Sequence, residues 1–297
     1  MKKYLKILRP DWTKNKISKE IDLTKNVHHD KILNNKIKKI IYRSKFILNY
    51  PNDFKVYKAI SKYYGVNIKN IAIGFGATDV IYRTLRAIKI KKLFIVNPTF
   101  GMVSVYCKMI NLDYEFINFK EINSKINIKN SGIYIVNPNG INGESHKIKK
   151  YTKYFKYFIV DEVYSDFCKK NSLLNHKLKN VIVIKSLSKS LGLAGLRVGF
   201  CCCSKKIIRE IQALRMSQIT TSFASLIVPK TINMTNKVIS RMKLTKKFLE
   251  NKFQCKKSHG NYVLFKNKNK YVKKFGYTKV QGYYRMALID IESLHGK

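Results

Sequence analysis

Ser186-Leu-Ser-Lys-Ser-Leu-Gly-Leu-Ala-Gly-Leu-Arg197-Val-Gly-Phe200 follows the apolar β-branched run Val181-Ile-Val-Ile184 by one residue. It puts Lys189 just past the end of a strand, among small and apolar neighbours, with Arg197 eight positions on. Most lysines of the chain lie among other lysines and asparagines, the setting of a solvated side chain; Lys189 stands apart from them. Desolvation disfavours an ammonium ion, so a lysine held there has its pKa pushed down. A neutral amine is a nucleophile able to form a Schiff base with a carbonyl. The plainer reading is a lysine that caps a strand-to-loop turn.

On either side of this stretch, apolar runs alternate with helical patterns. Phe54–Tyr64 has helical spacing and stops at Gly65, a residue suited to the position after a helix. Ile71-Ala-Ile73 reads as a short strand and Thr78–Ile88 as the next helix. Leu93–Val96, Ile133–Val136, Phe158–Val160, Val181–Ile184 and Val198–Cys202 complete the strands. Continuous apolar strands separated by helices predict an α/β domain with a mainly parallel sheet covered on both faces. Ligands bind such sheets at the carboxyl ends of the strands. The expected division is an N-terminal arm over 1–45 (with Trp12), a large domain over 46–230 and a small domain over 231–297.

The 297 residues, 45% of them hydrophobic, suffice for a full core. A net charge of +43 suggests nucleic acid at first. Only nine basic residues are arginine, however, and the lysines are spread over the whole length beside Asn and Ile, as in Asn34-Asn-Lys-Ile-Lys-Lys-Ile40. A binding footprint is clustered, so no specific nucleic-acid partner is expected. The six cysteines, Cys107, Cys168, Cys201–Cys203 and Cys255, form no C-x-x-C pair and lack the spaced partners that zinc needs. No metal site is expected. No run of signal-peptide or membrane-span length occurs, and a reducing, cytoplasmic setting fits the cysteines.

Several strand ends carry candidate ligand groups. Gly74-Phe-Gly-Ala-Thr78 joins a strand to a helix N-terminus, where backbone N–H groups suit an anion, although any tight βα turn can look this way. Asp161-Glu-Val-Tyr164 puts a carboxylate at the end of a buried strand, where it needs a cationic partner to stay ionised. Phe100 in Asn97-Pro-Thr-Phe-Gly101 reads by itself as an ordinary core residue.

Together these motifs, in this order, resemble the pyridoxal-phosphate (PLP) aminotransferases of class I/II, and most of all the histidinol-phosphate aminotransferase group. The resemblance implies a PLP-dependent transferase-like large domain with a compressed α+β C-terminal domain. It implies that Lys189 forms the Schiff base with the cofactor and that Asp161 pairs with the protonated pyridine nitrogen, which makes the ring an electron sink. Tyr164 then bonds the ring hydroxyl and Phe100 stacks on the ring. Gly76, Ala77, Thr78, Ser186, Ser188 and Arg197 hold the phosphate, the planar arginine fork being suited to it. Tyr50, in Asn49-Tyr-Pro51, matches a tyrosine that reaches the cofactor phosphate of a partner subunit and so implies a homodimer. Asn26 matches a substrate-lining residue, and Arg285 the arginine that anchors the substrate's anionic group, with Lys279 a further candidate.

One position departs from the pattern. In Asn137-Pro-Asn-Gly-Ile-Asn-Gly143 the asparagine expected to hydrogen-bond the ring hydroxyl is Gly140. Asn139 or Asn142 is left to reach in its place, or Tyr164 holds that oxygen alone. The resemblance implies transamination between a small amino acid or amino phosphate ester and a 2-oxo acid. The alternatives are a phospho-amino-acid decarboxylase, which uses the same lysine and aspartate, and a catalytically degenerate, basic binding protein.

Overall fold

The computed structural model describes residues 21–44, 50–174, 176 and 179–295; residues 1–20 of the expected arm, with Trp12, lie outside them. The strands are β1 (Ile71–Phe75), β2 (Lys92–Asn97), β3 (Asp113–Asn118), β4 (Ser131–Val136), β5 (Tyr157–Asp161), β6 (Val181–Ser186), β7 (Val198–Cys202), β8 (Cys255–Lys256), β9 (Tyr262–Phe265), β10 (Thr278–Val280) and β11 (Tyr283–Ala287). The α-helices are α1 (Lys31–Tyr42), α2 (Asp53–Tyr64), α3 (Gly76–Ala87), α4 (Met102–Met109) and α5 (Leu187–Ser190). They continue as α6 (Lys205–Ala213), α7 (Ser222–Thr231), α8 (Thr235–Lys252), α9 (Lys270–Phe275) and α10 (Ile291–His295).

Seven strands form one sheet in the order β1-β7-β6-β5-β4-β2-β3. Pairing is parallel from β6 through β3, while β7 runs antiparallel to both β6 and β1. The mainly parallel sheet expected from the apolar runs is present. Its period-2 side-chain alternation divides the core. Ala72, Leu93, Ile95, Tyr134 and Ile159 pack with residues of α3, α4 and α6 on one face. Phe94, Ile133, Ile135 and Phe158 pack on the other with Ile148 and Phe155, while Ile71, Ile73 and Phe200 pack with α2, α7 and α8.

Because β7 runs backwards, its first residue lies where β6 and β1 end: Gly199 pairs with Ser186 and with Gly74. That single reversal brings Arg197 to the edge where the other strands deliver their last residues. The C-terminal region forms a second, antiparallel sheet, β10-β11-β9-β8. The segment from Leu23 to Asp30 joins it, with hydrogen bonds from the Ala287 N–H to the Leu23 carbonyl and from the His29 N–H to the Leu288 carbonyl. At its end Asp30 accepts from the Leu33 N–H at 2.7 Å, capping α1, and pairs with Arg241 of α8 at 2.6 Å.

Candidate active site

A cavity of about 570 Å³ opens at the carboxyl ends of β1, β2, β4, β5 and β6, within the range typical of small-molecule sites. Lys189, Ala77, Thr78, Phe100, Asn139, Asp161, Tyr164, Ser186, Ser188, Arg197, Asn26 and Arg285 all line it. Four of the candidates do not, Asn142 among them. Gly76 lies behind the lining against Arg197, and Tyr50, 87% exposed, is outside it. Lys279 is exposed on β10 and away from the lining.

One wall suits a phosphate. Helix α3 begins at Gly76 immediately after β1, and Phe75 supplies no side-chain cap, so the N–H groups of its first turn beyond Gly76 suit an anion. Gly76 has φ +80°, and a Cβ there would stand 2.4 Å from an Arg197 Nη atom. Only glycine lets the guanidinium lie so close to the turn. The Gly76 N–H donates to the Arg197 carbonyl at 2.8 Å, which fixes the turn against the start of β7.

At the end of β5, Asp161 is buried. Tyr134 Oη donates to its Oδ2 at 2.7 Å and the Val163 N–H to its Oδ1 at 3.2 Å. Burial pushes its carboxyl up from 3.8 to about 6, against the pull of these two donors. A carboxylate kept there at such a cost is suited to a cation. Tyr134 was not foreseen; the signal was a phenol inside an apolar strand, where its hydroxyl needs a buried partner.

Lys189 follows β6 on the short helix α5, whose N-terminus Ser186 caps by accepting from the Ser188 N–H at 3.1 Å. Its Nζ donates to the carbonyls of Asn26 at 2.8 Å and Lys25 at 3.1 Å. Burial pushes the amine down from 10.5 to about 7, reinforced by Arg285 and Arg197 and opposed by Asp161. The sequence sets this lysine apart from the rest, yet Lys185 and Lys246 are buried too. Lys185 Nζ meets Ser165 Oγ at 2.6 Å and Asp166 Oδ1 at 3.0 Å. Lys246 donates to the carbonyls of Ser258 at 2.7 Å and Gly260 at 3.1 Å, and burial lowers it to about 8. Neither lines the cavity.

Phe100 is 39% exposed, at the cavity rather than in the core. Arg285 Nη1 donates to the Gly140 carbonyl at 2.6 Å, while its Nε is buried without a partner. Neither asparagine considered as a stand-in for position 140 bonds Tyr164, and Asn142 lies outside the cavity lining. Asn139 donates to the Pro98 carbonyl and accepts from the Ile141 N–H, and Asn142 accepts from the Glu144 N–H. The side chain that does reach Tyr164 is Asn26, whose Nδ2 donates to Oη at 2.9 Å.

These groups fit pyridoxal 5'-phosphate: a cation-seeking carboxylate, a lysine near neutrality, a phenol and a glycine–arginine cradle face one cavity. The sequence model of the family described as "Aminotransferase class I and II" matches residues 18–289. Histidinol-phosphate aminotransferase of Pyrococcus furiosus is 27% identical over 228 residues, which cover 70% of this chain and 67% of that protein. The chain spans about half to two thirds of the length of the curated relatives it matches. Histidinol-phosphate aminotransferase of Sinorhizobium meliloti in complex with pyridoxal-5'-phosphate superposes with a TM-score of 0.74 at 12% identity, covering 93% of this chain and 88% of that one. L-threonine-O-3-phosphate decarboxylase of Porphyromonas gingivalis gives 0.73 at 17% identity, covering 93% and 96%. Likeness at such identities shows the fold, and the family match adds descent: this chain belongs to the class I and II aminotransferases.

Proposed function

We propose that the protein is a PLP-dependent aminotransferase that moves an amino group from a small amino acid or amino phosphate ester to a 2-oxo acid. The observation that carries this reading is the placement of Lys189, lowered to about 7, in one cavity with Asp161, raised to about 6. Bound PLP supplies an electron sink for the pair released at the substrate's Cα. Asp161 would hold the ring nitrogen in its cationic form, and Tyr164 and Phe100 would hold the ring's oxygen and face. The Gly76–Thr78 turn, Ser186, Ser188 and Arg197 take the phosphate. Lys189 Nζ would hold the group and, when not bound to it, would move a proton at Cα, a task suited to an amine whose pKa is about 7. Arg285, with its unpartnered Nε, takes the anionic end of the substrate.

The decarboxylase reading uses the same lysine and aspartate and has fold likeness alone behind it, whereas the sequence relatives are aminotransferases. The bond that breaks is the one held parallel to the ring's π system, so the products discriminate. Candidate donors incubated with the PLP-loaded protein in deuterium oxide should exchange the Cα hydrogen and convert the yellow form to a colourless amine form. Release of CO₂ with the colour retained would overturn the transaminase reading. A homodimer in the cytoplasm belongs to the same proposal, supported by the exposure of Tyr50 and by six free cysteines.

A further inference from the structure

Asn26 lies directly against Lys189. It is 3% exposed and holds φ +57°, the left-handed region that Asn and Gly tolerate best. Its main-chain oxygen accepts from Lys189 Nζ at 2.8 Å and from Asn261 Nδ2 at 3.1 Å. Its side-chain Nδ2 donates to Tyr164 Oη at 2.9 Å, while its Oδ1 is buried without a partner. A buried orphan acceptor is costly and calls for an explanation. One residue, contributed by a segment 138 positions away from Tyr164, thus touches both polar groups that flank the cavity floor.

The loop facing Tyr164 cannot share this work. A Cβ at position 140 would stand 2.5 Å from the Tyr164 ring and 2.8 Å from its Oη, so the ring fills the space a side chain would need. The Gly140 carbonyl is taken by Arg285 and the Asn139 carboxamide by Pro98 and Ile141. An amide N–H only donates, so the phenolic oxygen is its acceptor and the phenolic hydrogen is left to point into the cavity.

We propose that Asn26 is a positioning residue, which sets Tyr164 as a hydrogen-bond donor through its carboxamide and seats Lys189 through its carbonyl. This rests on the aminotransferase reading of the cavity. With PLP in place, the Tyr164 O–H would donate to the ring oxygen beside Lys189. Donation withdraws the negative charge that would otherwise retain a proton on the Lys189 nitrogen and so lowers its pKa. The Asn26 amide strengthens the effect, because an oxygen that accepts one hydrogen bond becomes a better donor of its own.

The test uses the PLP-loaded protein and the pH dependence of its visible absorption band, with equilibrium dialysis of PLP as a second readout. Asn26→Gly removes the carboxamide and keeps the left-handed backbone without strain. Asn26→Asp keeps the volume but, as a carboxylate, only accepts, so the reasoning holds even if the glycine variant folds poorly. Either variant should raise the pKa of the band by about one pH unit, a roughly tenfold change expected of one lost hydrogen bond. Combined with Tyr164→Phe, Asn26→Gly should add nothing beyond Tyr164→Phe alone, the mark of a residue acting through another. A normal wild-type band with additive shifts, or with no shift in either Asn26 variant, overturns this proposal alone. A wild-type protein that takes up no PLP overturns the reading beneath it as well.

Discussion

Replacing Asp161 with asparagine should change how the stability of the PLP-free protein responds to pH, in a direction opposite to that of most carboxylates. In the folded protein burial raises this carboxyl from 3.8 to about 6. The native state therefore binds the proton more tightly than the unfolded chain, and stability falls as pH rises between those values. The rise corresponds to about 3 kcal/mol at roughly 1.36 kcal/mol per pH unit. Below pH 3.8 the group is protonated in both states and the penalty vanishes; above about 6 it is complete. Urea unfolding of wild type and Asp161→Asn at matched pH isolates this one group. The wild type should lose about 2 kcal/mol of that relative to the variant from pH 4 to 6.5, and loading with PLP should abolish most of that loss by supplying a cation. Tyr134→Phe should extend the decline to higher pH, since the hydroxyl at 2.7 Å favours the ionised form. A difference between wild type and Asp161→Asn that stays constant with pH, or is the same with PLP bound, would refute the reasoning.

Two further perturbations test the scaffold. Gly76→Ala places a Cβ within 2.4 Å of Arg197 at φ +80° and should weaken PLP binding, measured by dialysis, by about tenfold or more. Asp166→Ala should destabilise the protein by about 3–5 kcal/mol in urea, because it leaves the Lys185 ammonium buried without its counter-ion. Lys185→Met with Asp166→Leu should recover most of that loss.

The α/β layout was legible because its parallel strands are apolar on both faces, as at Leu93–Val96 and Val181–Ile184. Strand β3 was not, since Asp113–Asn118 is a half-exposed edge strand in which Ile117 alone is buried. The reversal of β7 leaves no trace in composition, because Val198–Cys202 is as apolar as its parallel neighbours. Among the site residues, those in strand-end motifs came from local pattern. Tyr134 and the true partner of Tyr164 did not, since each acts across sequence separations of 27 and 138 residues. Lys185 also escaped notice: its position next to an apolar strand was visible, but its neutralising partner Asp166 is brought to it only by the turn after β5.

Lys189 is the residue proposed to carry the cofactor. Incubation of the protein with PLP, borohydride reduction and peptide mass mapping tests it directly. One phosphopyridoxyl group per chain is expected, on Lys189, and none on Lys185 or Lys246 despite their burial. Lys189→Ala should lose the adduct and the yellow band together. A stoichiometric adduct on another lysine, or an unreduced chain that never takes up the cofactor, would contradict the account.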